Sequence, residues 1–336
     1  MKRTCILHLG FPKTGTTALQ GALTRMRDPE FSYARLGNEN HSVPLILRFT
    51  GDQARCKGYG DVERSGLVKI ALKKALIRLA FARAMRSPAP NLILSAESVL
   101  FALREAELAD MRDHLERHFD ELRLIAYLRP YHALAPSAWQ QRVRRGVSKI
   151  ALNPPMYRKV LEPALRVFGR ERFSFQLFDK AALKDGDIVD DFAARLGIST
   201  SLPRGPRDFA SLSLEAAALL FAHNLAAPPG ADPLAEAADR ARIVQALAGF
   251  GSARIAFAAA LTNAALARHR GQIAFAEKLT GFDLLGSPDD ATSPIEGSAH
   301  LLAIARENLD ACAALLGGDP ASERILGRLR HAVHAT

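Results

Sequence analysis

An apolar run from Thr4 to Leu9 stops at Gly10 and gives way to the turn FPKTGTT, residues 11–17, where helix formers take over. A short buried strand that passes straight into a helix fixes much of what can follow, because such units join into parallel sheets through crossover helices. The pattern recurs. NLILSAE (Asn91–Glu97), LRLIAYLR (Leu122–Arg129) and RFSFQLFD (Arg172–Asp179) read as buried strands that end in polar residues. Helical stretches follow them over Glu105–Phe119, Ala133–Arg145 and Ile188–Leu196. Four alternations of strand and helix predict an α/β fold, a doubly wound parallel sheet flanked by helices on both faces. Ligands of such sheets bind at the carboxyl ends of the strands. The polar residues at those ends, His8, Glu97, Arg129 and Asp179, are therefore candidates for one shared site.

Between these units, residues 30–66 are dense in Gly, Asn, Asp and Pro without a clear period, and read as a long irregular segment of the kind that borders active sites. Leu67–Met85 reads as a strong helix with Leu67, Ile70, Ala71, Leu76 and Leu79 on one side and Lys69, Lys73, Lys74, Arg78 and Arg83 around the rest. A solvated outer helix is the plain reading; a peripheral membrane contact is the second. Past Ser211 the chain is alanine-rich and helical over Glu215–Ala226, Leu234–Ala248, Ala253–Arg270 and His300–Leu316. The expected organisation is an α/β core over 1–225 and a helix-rich C-terminal portion, 226–336, packed on it.

The 336 residues are 48% hydrophobic and 24% charged, an ordinary globular composition. No apolar run reaches the roughly 18 to 20 residues of a membrane span, and no signal peptide is readable at the basic N-terminus. Cys5, Cys56 and Cys312 are scattered and odd in number, without CxxC spacing. That suits a reducing, cytoplasmic compartment better than a disulfide framework. The net charge of +10 attracts anions. There is no zinc-finger spacing or RNP-type aromatic motif, so a nucleic-acid partner is not expected. No obligate protein partner is inferred.

The turn after the first strand has the makings of an anion cradle. Backbone N–H groups and the helix dipole point at a ligand. Gly15 permits close approach, Thr16 and Thr17 supply hydroxyls, and Lys13 supplies a full charge, so the ligand should be a phosphate or sulfate ester. Gly10 and Gly15 have the separation of the nucleotide loop G-x-x-x-x-G-K-[ST], but Thr16 stands where its lysine belongs and Lys13 precedes the second glycine. No strand ends in a convincing magnesium-binding aspartate, so no metal site is expected and NTP hydrolysis is disfavoured.

FPKTGTT resembles the 5′-phosphosulfate loop of the sulfotransferases that use PAPS (3′-phosphoadenosine 5′-phosphosulfate), a P-loop-like family with the pattern P-K-[ST]-G-[ST]-T. YLRPYHALAPS places Ser137 eight positions after Arg129, as in that family. SAWQQ (137–141), DIVDDFAARLGI (187–198) and ASLSLEAAALLFAHN (210–224) are similar to segments of bacterial members. The resemblance implies that Lys13, Thr14, Gly15, Thr16 and Thr17 hold the 5′-phosphosulfate, with Lys13 also catalytic. It implies that Arg129 and Ser137 hold the 3′-phosphate and that PAP is the product. It implies a general base of His or Glu type; Glu97 is the expected one, with His8 next and His41 and His132 behind it. The acceptor implied is a hydroxyl or amine of a carbohydrate or glycolipid.

Two departures stand out. Ala18 occupies the position where many members stack a tryptophan on adenine, and the R-K-G-x-x-G segment of animal enzymes is absent. Arg204, Gly205 and Arg207 in LPRGPRD are the candidates to replace the latter. The alternatives are a nucleotide-dependent kinase and a non-catalytic nucleotide- or glycan-binding protein.

Overall fold

Five strands, all parallel, lie in the order β2-β3-β1-β4-β5 in the computed structural model, which describes residues 2–52, 67–205, 211–288 and 293–334. In chain order the elements are β1 (Thr4–Leu9), α1 (Thr16–Arg25), β2 (Phe31–Tyr33), α2 (Ser42–Phe49), α3 (Leu67–Met85), β3 (Asn91–Ala96), α4 (Val99–Ala102), α5 (Glu105–Glu116), β4 (Glu121–Leu128), α6 (Tyr131–Arg144), α7 (Tyr157–Phe168), β5 (Phe173–Leu177), α8 (Ile188–Leu196), α9 (Leu214–Leu225), α10 (Pro233–Ala246), α11 (Ala259–Thr280), α12 (Ser298–Glu307), α13 (Leu309–Leu316) and α14 (Pro320–His334). The expected α/β class holds, with the sheet wound both ways from β1.

The chain forms two compact units whose segments interleave. The first holds residues 1–130, 156–207 and 274–284; the second holds 131–155, 208–273 and 285–336. In the first unit the pleat sorts the strands' side chains. Ile6, Ile93, Ile125 and Tyr127 face Leu19 and Leu23 of α1 and Ile188, Val189 and Phe192 of α8 in one buried cluster. Leu122 and Leu124, of opposite parity on β4, are buried too, and α5 packs on that strand with Leu108, Met111 and Leu115 buried. β1 sits centrally, paired with β3 on one side and β4 on the other, so its carboxyl end lies where the winding direction reverses.

Three expectations are corrected. Residues 30–52 are not irregular: they hold the short edge strand β2 and the helix α2. The remainder of that segment, with Cys56, lies outside the described residues. α3 buries Ile70, Ile77, Phe81 and Met85, whereas Ala71, Leu76 and Leu79, expected on the same side as Ile70, are exposed. The helix read over 300–316 is two, α12 and α13, meeting at Asn308.

The second unit is helical. Trp139 of α6 is fully buried, its ring edge-on to Phe257 at 5.4 Å and near Phe221 of α9. α10 and α14 are tied by Arg324 to Asp239 and Arg328 to Glu236, each at 2.6 Å with a buried carboxylate. α11 departs from helical geometry at His269.

Candidate functional site

The turn between β1 and α1 is held in a conformation that few residues adopt. Gly15 caps α1 with φ 67° and ψ 16°, and Lys13 has φ 62°. A Cβ at Gly15 would meet Ile188 Cγ2 at 3.0 Å and Phe178 Cε2 at 3.2 Å, so glycine is required on two grounds. Lys13 is one of two described non-glycine residues with positive φ. Strain of this kind persists only where the surroundings enforce it. Gly10 is a second tight point: a Cβ there would fall 2.6 Å from Thr16 Oγ1 and 3.3 Å from the Glu97 Cα.

No side chain caps α1 and its first turn carries no acidic residue. Its leading N–H groups therefore keep their affinity for an anion. The threonines divide the work. Thr14 is buried and its hydroxyl donates to the Phe11 carbonyl at 2.8 Å, closing the loop on itself. Thr16 is buried, 3.4 Å from Thr14 Oγ1, and Thr17 is exposed. Of the expected hydroxyl donors, only that of Thr17 opens fully to solvent; Thr14 serves the shape of the loop.

Arg129 follows β4 directly. Its Nη1 donates to the Lys13 carbonyl oxygen at 2.9 Å, and its guanidinium lies 5.5 Å from the centre of the Phe178 ring. Burial lowers the Arg129 pKa and the charge of Asp179 opposes that fall; the group stays a cation. Tyr157, buried beneath, donates to the Arg129 carbonyl at 3.4 Å. Glu97 follows β3, next to β1 in the sheet. Its backbone N–H and that of Ser98 both donate to Ser42 Oγ, at 2.9 and 3.0 Å. Ser42 Oγ in turn donates to Asn40 Oδ1 at 2.6 Å, so this hydroxyl is fully used. Lys13, Glu97 and Arg129 are half-buried. The structure thus brings the loop, Glu97, Arg129 and Asp179 to one edge of the sheet, as the strand ends implied.

His8 does not join them. β1 runs one residue further, and the pleat turns His8 inward, fully buried between the rings of Tyr127 and Phe192. Its Nδ1 lies 2.8 Å from Ser95 Oγ, which also accepts from Gln20 Nε2 at 3.0 Å. Burial pushes its pKa down to about 3, and among the described residues its Nε2 has no hydrogen-bond partner. His41 is buried as well, stacked 4.5 Å from Tyr33, and its Nδ1 accepts from the Ser95 backbone at 3.1 Å. Both are core groups rather than bases. His132 and Ser137 lie on α6, in the second unit, half-buried. Arg204 is exposed and paired with Asp190; Gly205 is half-buried, and Arg207 lies outside the described residues.

Two contributors went unread in the sequence. Phe178, directly after β5, touches both the glycine of the loop and Arg129, and its one signal is its place at a strand end. Ser42 is hidden in the segment read as irregular. A cleft of about 490 Å³ opens elsewhere, among Glu121, Arg123, Phe173 and Arg195. It lies at the amino ends of β4 and β5, away from the loop, and is lined by charges already paired with each other, such as Arg172 with Glu116 and Arg123 with Glu121.

No protein-family profile and no curated protein matches this chain. Among solved structures it is similar to a sulfotransferase from Alicyclobacillus acidocaldarius, at 20% identity and a TM-score of 0.39, over 75% of this chain and 98% of that one.

Proposed function

We propose that this protein is a sulfotransferase that moves a sulfuryl group from PAPS to a hydroxyl or amine of a carbohydrate or glycolipid acceptor. The observation that carries the proposal is the meeting of Lys13, Glu97 and Arg129 around a glycine-capped, uncapped-by-side-chain helix N-terminus. The loop's sequence pattern, P-K-T-G-T-T, supports the choice of sulfuryl over phosphoryl donor.

The cradle fits a doubly charged ester. Gly10 and Gly15 leave no room for a Cβ, and the helix N-terminus and Lys13 supply positive charge without a carboxylate in the first turn. PAPS supplies a sulfuryl group on a good leaving phosphate. In the reaction the acceptor oxygen or nitrogen bonds to sulfur while the sulfur–oxygen bond to the phosphate breaks. The electron pair leaves on the phosphate oxygen, where Lys13 and the helix N-terminus stabilise it. Glu97 takes the acceptor's proton. Arg129 binds the 3′-phosphate and, through the Lys13 carbonyl, holds the strained turn in place. Ser137 is assigned to the same phosphate by the sequence resemblance alone.

The test is transfer of radiolabel from PAPS to glycan and lipid extracts, with PAP release measured alongside. Labelled product that disappears in Lys13→Ala supports the proposal. Tight PAP binding without PAP release in any extract would leave a nucleotide-binding protein in its place.

A further inference from the structure

The outward face of α3 is built for something other than water. Leu72, Leu76 and Leu79, spaced i, i+4, i+7 on one side, are 61%, 58% and 60% exposed. The opposite side, Ile70, Ile77, Phe81 and Met85, is buried in the first unit. A helix apolar on both sides is ordinarily covered on both. Among the described residues this one is covered on one, and the other carries three large leucines in a row.

Charge accompanies the stripe. α3 contains Lys69, Lys73, Lys74, Arg78 and Arg83 and no acidic residue. At 3.6 residues per turn, Lys69 and Lys73 fall along one margin of the leucines and Arg78 towards the other. Beside Arg78 stands a second group of cations. Arg48 Nη2 and Arg117 Nη2 both approach His114 Nδ1, at 3.5 and 3.3 Å. His114 packs on Phe81 of α3, ring centres 5.4 Å apart. Among the described residues no carboxylate pairs with Arg48, Arg78 or Arg117. Burial, then the charges of Arg78 and Arg117, hold the Arg48 pKa below its ordinary value. This cluster stands towards the Phe81 side of α3 rather than on the leucine stripe, and crowded cations without a counter-charge among the described residues gain from an anion outside.

We propose that the outward face of α3 docks on an anionic membrane surface. The leucines enter the boundary between headgroups and acyl chains, and the lysines and arginines along the margins meet lipid phosphates. The contact is peripheral: among the described residues no helix is long and apolar enough to cross a membrane. A second copy of the chain fits this face poorly, because an isologous pairing would set α3's cations against their own kind. The inference stands apart from the proposed reaction and does not need it.

The experiment is co-sedimentation of the full chain with vesicles of phosphatidylcholine alone and with vesicles containing phosphatidylglycerol. Binding is expected to the second and not the first, weakening as salt rises. The variant Leu72→Gln, Leu76→Gln, Leu79→Gln should keep its melting temperature, since these side chains already face solvent, and lose binding by about tenfold or more. Lys69→Glu with Lys73→Glu should lose affinity and part of the salt dependence, giving a second variant if the first fails to fold. Undiminished binding by the leucine variant would overturn the proposal in favour of simple attraction by the net charge of +10. So would no binding to anionic vesicles. A stable dimer in light scattering that the leucine variant dissociates would assign the face to a second copy instead.

Discussion

Arg129 grips the loop by the backbone of its lysine: Nη1 of Arg129 donates to the carbonyl oxygen of Lys13 at 2.9 Å. One cation therefore sets where the other stands. Under the proposed function Arg129 has a second duty towards the 3′-phosphate. PAP should then raise the melting temperature well beyond ADP or AMP. Arg129→Ala should weaken PAP binding by roughly 2 to 4 kcal/mol, the range for losing one partner of a desolvated charge pair. Arg129→Lys should fall between, because it keeps the charge and loses the planar fork. Equal thermal shifts with PAP and ADP would remove the 3′-phosphate from the picture and bring the kinase alternative forward.

Glu97→Gln keeps the size and backbone anchorage of Glu97, whose N–H is held by Ser42, and removes its ability to take a proton. PAP affinity in calorimetry should be unchanged while kcat falls by about a hundred- to ten-thousand-fold. A variant with full turnover would strip Glu97 of the role.

Lys13→Gly separates the fold from the chemistry at one residue. A non-glycine residue in the left-handed region costs about 1 to 2 kcal/mol, and glycine gives back about 0.5 to 1 kcal/mol in chain entropy. The variant should melt no lower than the wild type, up to about 1 kcal/mol more stable, and be inactive. Gly15→Ala, strained and crowded by Ile188 and Phe178, should melt several degrees lower. A Lys13→Gly protein that melts well below wild type would mean the turn is not strained.

His8 gives the fold an acid limit. Its pKa is depressed from 6.5 to about 3 by burial, so the folded protein keeps it neutral where the unfolded chain protonates it. The stability it allows is complete above the unfolded pKa and is lost as pH falls through the window from 6.5 towards about 3. The loss from this one group approaches about 1.4 kcal/mol per pH unit. His41, depressed to about 4 by burial, adds to the upper part of that window. Denaturant melts from pH 7 to 4 should show a shallower decline for His8→Asn, which retains a polar atom near Ser95. An identical slope would place the acid sensitivity elsewhere.

What the sequence made legible was the part with a repeating signal. Buried strands ending in polar residues marked β1, β3, β4 and β5, and with them the edge where Lys13, Glu97 and Arg129 meet. The losses have physical reasons. β2 is three residues long, too short for any alternation to show. α2 carries Pro44, which is tolerated in a helix's first turn but reads as a breaker. α7 has Pro163 in its interior, and that proline masked an otherwise regular apolar stripe of Tyr157, Val160, Leu161, Ala164, Val167 and Phe168. His8 was misread because its distance from the strand end suggested the edge, whereas the parity of the pleat decides which way a side chain turns. On α3, a helix apolar on two sides offers no single face to a sequence reader, and only packing shows which one the fold claims.

The hydroxyl of Ser42 accepts from the backbone of both Glu97 and Ser98, so the first turn of α2 determines the height at which the Glu97 carboxylate stands. Under the proposed function, the placing of the proton acceptor is thereby tied to the length of chain between β2 and α2. Any lengthening or shortening between Tyr33 and Ser42 would shift the Glu97 carboxylate, the proposed base, so that segment must hold one serine's position whatever else in it changes.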